Sequence, residues 1–429
     1  MEYPEEKAAC INGDYCGIKA GPVQRAVIAS DTVSVFSLSR YAALLFAVAC
    51  GLSVANIYYA QPLLDVLASE FNIAHSSVGI IITVTQISYA LGLLLFVPLG
   101  DLVNPRRLIP CLMLLSVIAL IVVSFAPTGT MLLTGLAAVG LLAVVTQVLV
   151  AFAATLAAPA ERGRIVGLVT SGVVIGILLA RTVAGLLTDI AGWRSVYSVS
   201  AALMIIVTGA LFRVLPHHEG KRAASLSYFQ LLRSVITLFM QEPILRSRAL
   251  LALLIFAAFS ILWTSLVLPL SGSPLSLSHT AIGTFGLAGA AGALAAARAG
   301  RLADRGLGQR TTGIALVLLL SSWLPIGYTE RSLPALIFGI VLLDMAVQAV
   351  HVTNQSLIFH IRPEARSRLT GGYMIFYSIG SASGSIASTN IYAYFGWNGV
   401  CLLGAAVSAL AILLWACTLP SKKSAAGSK

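Results

Sequence analysis

The chain is 429 residues long, 58% hydrophobic and only 10% charged, with a mean hydropathy of +0.93. A water-soluble protein of this length needs far more charged surface, so the composition places the chain in a bilayer, and its long uninterrupted apolar runs exclude a β-barrel, whose strands alternate apolar and polar residues. The net charge of +11 would suit a nucleic-acid binder if it were gathered on one face, but the basic residues fall in alternate loops between apolar stretches, and no nucleic-acid partner is expected.

Residues 1–38 mix acidic and basic side chains without an apolar run, which reads as a cytoplasmic tail with no cleavable leader. Stretches long enough for ~30 Å of hydrocarbon follow at 41–61, 77–99, 108–126, 131–155, 165–187 and 195–215, then at 249–270, 280–300, 311–328, 334–358, 369–390 and 398–419. The expectation is an all-α membrane protein of twelve transmembrane helices. Residues 39–215 form a first six-helix half, 216–247 a linker, 248–420 a second half, and 421–429 a tail. All but Arg181, Arg194 and Arg331 of the 27 Lys and Arg residues then lie on the side that holds both termini, which the positive-inside rule makes the cytoplasm. Cys50, Cys111, Cys401 and Cys417 sit in apolar spans and Cys10 and Cys16 in the tail, so neither a metal site nor a disulfide framework is expected, and no cofactor.

Span 1 carries Asn56 and Tyr59. The next connection reads Leu99-Gly100-Asp101, followed by Arg106 and Arg107, so Asp101 can form charge-assisted hydrogen bonds with the basic pair at a helix end. Gln147 is the one strongly polar residue in the centre of span 4. Span 5 places Arg181 outward of mid-bilayer, at a cost of at least ~2.5 kcal/mol on insertion scales, so it either faces a cavity or partner or snorkels to the outer headgroups. In the linker, Leu226, Phe229, Leu232, Val235, Ile236 and Phe239 recur at helical spacing with Arg233 on another side, which suggests a helix lying on the inner leaflet. Trp263 in span 7 offers an apolar face with a polar handle or an interfacial anchor. Then Gly300-Arg301-Leu302-Ala303-Asp304-Arg305, with Arg310, repeats the earlier turn.

Span 10 carries Asp344, Gln348, His351 and Gln355 at intervals of four, three and four, all on one helix face among apolar neighbours. At 1.5 Å per residue from an outer boundary near Leu333, Asp344 lies about 16 Å deep, close to the midplane. A carboxyl at that depth can gain and lose a proton as its surroundings turn wet or dry. Asp344 is therefore the candidate proton-coupling group or a permanently paired ion; His351 is a second titrating group, a substrate ligand or a helix contact. Tyr373 and Tyr377 in span 11 read as packing residues.

The segment from Pro159 to Gly192-Trp193 reappears from Pro363 to Gly396-Trp397 in one unbroken frame, with Arg162 on Arg366, Arg164 on Arg368, Gly167 on Gly371 and Ile175-Gly176 on Ile379-Gly380. Two copies of one six-helix unit are the mark of certain secondary transporters. Twelve spans in two such halves, with Gly-Asp-basic turns between the second and third span of each, resemble the major facilitator superfamily. The resemblance covers about residues 38–420. It implies that Gly100, Asp101, Arg106 and Arg107, with Gly300, Asp304, Arg305 and Arg310, form a cytoplasmic gating latch. It also implies that spans 1, 4, 7 and 10 line a central cavity, offering Asn56, Tyr59, Gln147, Trp263, Gln348 and Gln355 with Arg181 to a solute. The stretch Gly176 to Gly185 resembles the fifth-helix motif of the proton-linked drug antiporter branch, with Arg181 where that branch has proline.

The expected function is secondary active transport of a small organic solute, with proton-coupled efflux by antiport as the leading reading. An uptake symporter of a polar or anionic metabolite is the runner-up, and a non-transporting membrane sensor the alternative from another class. Paired carboxylates, a Ser/Lys or Ser/His pair, a histidine-rich metal cluster and a phosphate-binding loop are all missing from the sequence, so neither an enzyme nor an ATP-driven pump is expected. The expected partners are the solute, protons and the bilayer, in a monomer of the bacterial inner membrane.

Overall fold

The computed structural model describes residues 40–157, 161–215, 228–295, 302–359, 361 and 366–419. Both expected tails, and 216–227 of the linker, lie outside them. Within the described residues the chain is helical throughout, because a segment in hydrocarbon must satisfy its backbone polar groups internally.

The first half runs α1 (Arg40–Tyr58), a 3-10 turn (Gln61–Leu63), α2 (Leu64–Glu70), α3 (Ile80–Phe96), α4 (Leu99–Leu102), α5 (Pro105–Ser124), α6 (Gly129–Leu142), α7 (Val145–Leu156), α8 (Arg162–Ala191) and α9 (Trp193–Val214). The linker helix α10 (Tyr228–Gln241) leads to α11 (Pro243–Ser265), α12 (Val267–Ser271), α13 (His279–Ala295), α14 (Gly308–Gly327), α15 (Leu333–Phe359) and α16 (Arg366–Cys417). Nine stretches of the described residues are long and apolar enough to cross a membrane. One of them, α16, holds two expected spans, joined through a kink at Gly396, whose φ of 61° suits a residue without Cβ. With α3 and α13 the twelve spans are accounted for.

Several spans depart from single rods. Span 1 continues past Tyr58 through Gln61-Pro62 into α2, and span 4 breaks between α6 and α7. Span 7 starts at Pro243 rather than 249, which takes Arg248 into the helix, where it is 5% exposed and donates to Asn354 at 3.4 Å. On α10, Phe229, Ile236 and Met240 are exposed while Leu238 is buried and Phe239 stacks on Phe376. Arg233, four residues beyond Phe229, shares that exposed face, so the expectation that it lay on another side does not hold: the helical period returns it to the same stripe.

Within the halves, α1 packs on α8 and α11 on α16. Gly176 and Gly380, matched by the repeat, permit both approaches: an added Cβ would lie 2.2 Å from Gly51 O and 2.1 Å from Leu253 O respectively. Between the halves, α8 meets α13 and α3 meets the first part of α16. The repeat exchanges these two pairs, so the interface has pseudo-two-fold symmetry. We call the end with Arg40 and Cys417 proximal and the other distal. Exposed apolar side chains such as Leu114, Ile118, Ile206 and Leu413 line the outer surface, where lipid replaces water.

Candidate functional site

Span 5 brings Arg181 into the interior, 2% exposed, between the halves. Its guanidinium carbon lies 3.8 Å from the ring centre of Trp263 and 5.4 Å from those of Phe259 and Tyr58, a cation enclosed by three aromatic faces. Nε donates to Gln61 Oε1 at 2.9 Å. Both Nη atoms are buried and have no hydrogen-bond partner among the described residues.

Asp344, on α15, is 3% exposed. Its Oδ1 accepts from Trp263 Nε1 at 3.1 Å. Its Oδ2 rests on α13 at Gly289, where a Cβ would lie 2.1 Å from that oxygen, so only glycine leaves room for the carboxylate. Among the described residues Arg181 makes no ion pair within 4.0 Å. Trp263 touches both charges, with its face on the cation and its N–H on the carboxylate. Tyr58 and Tyr377 bond hydroxyl to hydroxyl across the halves beside this cluster. A narrow cleft opens on Arg181 and Trp263, walled by Gln61, Pro62, Leu266, Val267 and Ile282, with room for no more than about one water molecule in this conformation.

The other sequence-derived candidates divide. Trp263 is 3% exposed, so it is no interfacial anchor, and Arg181 does not snorkel. Asn56 turns away from the seam and accepts from Ser200 at 2.6 Å within the first half, while Tyr59 packs edge-on to Tyr197, also within it. Neither belongs to the Arg181 cluster; Tyr58, one residue earlier and about 100° round the helix, does. Gln147 donates to Tyr89 at 3.4 Å. His351 shares a hydrogen bond of 3.0 Å with Tyr373 and meets Phe256 edge-on. Gln348 and Gln355 are half-buried on the same stripe. Tyr377, read as packing, spans the interface instead.

Of the paired turns, Gly100 lies in α4, and Arg106 is half-buried with its guanidinium 5.8 Å from the Phe212 ring centre. Arg107, Arg305 and Arg310 are exposed. Gly300 and the side chains of Asp101 and Asp304 lie outside the described residues.

A second charged cluster closes the distal end. His279, the first residue of α13, shares Nε2 with both oxygens of Asp65 at 3.1 Å and Nδ1 with Asp189 at 3.3 Å. Asp189 also caps α13 from the other half, accepting from the backbone N–H groups of His279 at 3.2 Å and Thr280 at 2.7 Å, where a helix N-terminus favours an anion. The hydrogen bond to Asp65 first, then that carboxylate's charge and the Asp189 contacts, hold the imidazole's pKa above the usual histidine value despite partial burial. Bonds from Thr182 to Gly283 O, Thr83 to Ala382 O and Thr389 to Ser76 O continue the seam. Sequence reading missed this cluster, because its members sit at the ends of separate spans and look like ordinary rim charges.

The sequence matches the profile of the Major Facilitator Superfamily over residues 44–324 and 249–429. It is 49% identical to the putative uncharacterised transporter YgaY of Escherichia coli K12 over 88% of this chain and 95% of that one. It is 34% identical to the probable transporter SCO4007 of Streptomyces coelicolor over 87% and 86% respectively. Its fold is similar to that of a bacterial homologue of the human lysosomal transporter Spinster, solved inward-facing and occupied, with a TM-score of 0.70 at 14% identity, covering 88% of this chain and 96% of the other.

Proposed function

The chain belongs to the major facilitator superfamily of membrane transporters, and from that premise we propose that it moves a small organic solute by proton-coupled alternating access, with the site around Arg181, Trp263 and Asp344. One observation carries the reading: an arginine and an aspartate are buried where the halves meet, both against one indole ring and without a direct ion pair. Charges in such a position are costly and persist where they do work. Asp344 holds the coupling proton, and the distal seam marks the conformation shut at that end. The proximal end is the cytoplasmic face of a bacterial inner membrane; the arginines at 106, 107, 305 and 310 gather there as the positive-inside rule requires, and form its gating latch with Asp101 and Asp304.

The family resemblance favours export in exchange for protons. A second reading, an anion and a proton moving together, is favoured by the arrangement of the charges. Both groups lie against Trp263, so a proton on Asp344 removes the negative charge that would repel an anion at Arg181, and that anion in turn favours the proton, so each assists the other's binding.

Reconstituted vesicles with an imposed pH gradient and a candidate-solute panel test both. Asp344→Asn is expected to abolish gradient-driven flux while flux down the solute's own gradient persists; pH-driven flux that survives the substitution would remove Asp344 from the coupling. Solute moving against the proton flow identifies exchange, and solute moving with it identifies symport.

A further inference from the structure

We infer that Arg181 is the recognition group for a solute carrying a single carboxylate, held by the two free Nη donors while Trp263, Phe259 and Tyr58 flank its body. This rests on the transport reading and names the substrate class of that site.

The argument begins with what Arg181 lacks. A guanidinium removed from water needs acceptors for its N–H groups, yet Gln61 takes only Nε, and Nη1 and Nη2 are buried without partners. The nearby carboxylates make their contacts elsewhere: Asp344 accepts through Oδ1 from Trp263, Asp65 meets His279, and Asp189 meets His279 and the start of α13, and none pairs with Arg181 within 4.0 Å. At most about one water fits the cleft beside Arg181, and a ligand carrying two acceptors would meet both Nη groups. Two parallel N–H groups on a planar cation match the two oxygens of a carboxylate, a fit that a lysine ammonium does not reproduce. Trp263 and Gln61 fix the plane of the guanidinium in advance, which lowers the cost of binding.

The surroundings select among anions. One positive charge beside an aspartate suits one negative charge, so a phosphate or sulfate dianion is disfavoured. Three aromatic faces and the walls at Pro62, Leu266, Val267 and Ile282 offer an apolar body more contact than a second polar group. The cleft is contracted here, so the body is accommodated as the halves move apart.

Thermal stability and intrinsic tryptophan fluorescence of the purified full chain, titrated with hexanoate and benzoate, with hexanamide and benzamide as neutral counterparts, and with sulfate, test the assignment. The carboxylates should raise the melting temperature and change the fluorescence, and the amides and sulfate should not. Arg181→Ala should weaken carboxylate binding by about 100-fold or more, the loss of two charge-assisted hydrogen bonds. Should that variant fail to elute as a monodisperse species, Arg181→Lys, which keeps the charge but not the fork, should still weaken it by about 10-fold. Amides binding as well as carboxylates, no response to either carboxylate at millimolar concentration, or undiminished carboxylate binding by a folded Arg181 variant would each overturn the assignment. Vesicle flux separates the two claims: flux of other solutes without carboxylate binding sinks the substrate class and leaves transport standing, whereas carboxylate binding without flux of any solute sinks transport.

Discussion

Arg181 and Asp189 stand on one helix, α8, about 12 Å apart, and meet opposite fates. At the distal seam each carboxylate has a partner: Asp189 and Asp65 hold His279 between them, and Asp189 also satisfies two N–H groups at the start of α13. At the centre a cation is buried with two of its nitrogens unanswered, and the aspartate nearby is turned to an indole N–H. Both clusters join the same two halves. The first is saturated with partners, and the second leaves two buried donors without an acceptor among the described residues.

The comparison predicts what happens when one cluster is made to resemble the other. The largest effect is expected from Gln61→Glu, which gives Arg181 an internal carboxylate. Carboxylate binding should fall by about 100-fold or more, as for a competing ion pair in the same place, while the melting temperature rises. Titration with benzoate is the readout, and unchanged affinity would show that the centre is not a vacant counterpart of the seam.

Next is the seam itself. His279→Ala removes the shared partner of two carboxylates, at a cost of about 1–3 kcal/mol to the closed arrangement, and should increase thiol labelling of a cysteine placed at the distal rim. The same cluster gives a pH dependence. Since Asp65 and Asp189 raise the His279 pKa, its contribution to closure is complete below the ordinary histidine value and is lost as pH rises through the raised one. Rim labelling of the otherwise unaltered chain, normalised to the thiolate fraction of the probe cysteine, should therefore increase on the alkaline side, and that normalised increase should vanish in His279→Ala. A pH profile shared by both proteins would locate the sensor elsewhere.

The smallest effect belongs to Trp263→Phe, which keeps a ring over Arg181 and deletes the donor to Asp344. A loss of about 1 kcal/mol in stability is expected, with carboxylate affinity retained within about 10-fold. A larger loss of affinity would mean that the N–H, rather than the ring face, orders the guanidinium.

The scaffold was legible because bilayer length, charge placement and an internal repeat constrain it independently. Arg181, Trp263 and Asp344 stood out because a polar group among apolar neighbours is conspicuous in any span. Their relation was hidden: no spacing reveals that one indole touches both charges. Neighbours on a helix are also indistinguishable: the sequence points to Asn56 and Tyr59 in span 1, whereas Tyr58 is the residue that joins the cluster. Asp65, Asp189 and His279 left no signal, since single charges at loop ends are what a topology requires anyway. Only the docking of α2 and α8 on α13 turns them into one cluster.

The face of α13 that meets α8 and α15 is built from small residues, and at Gly283 a Cβ would lie 2.5 Å from Arg181 O. Mechanically, a helix side without knobs is a bearing: the opposing helix can rock over it without first climbing out of a socket. A methyl at 283 would act as a chock, slowing the exchange between conformations more than it weakens the grip on a solute.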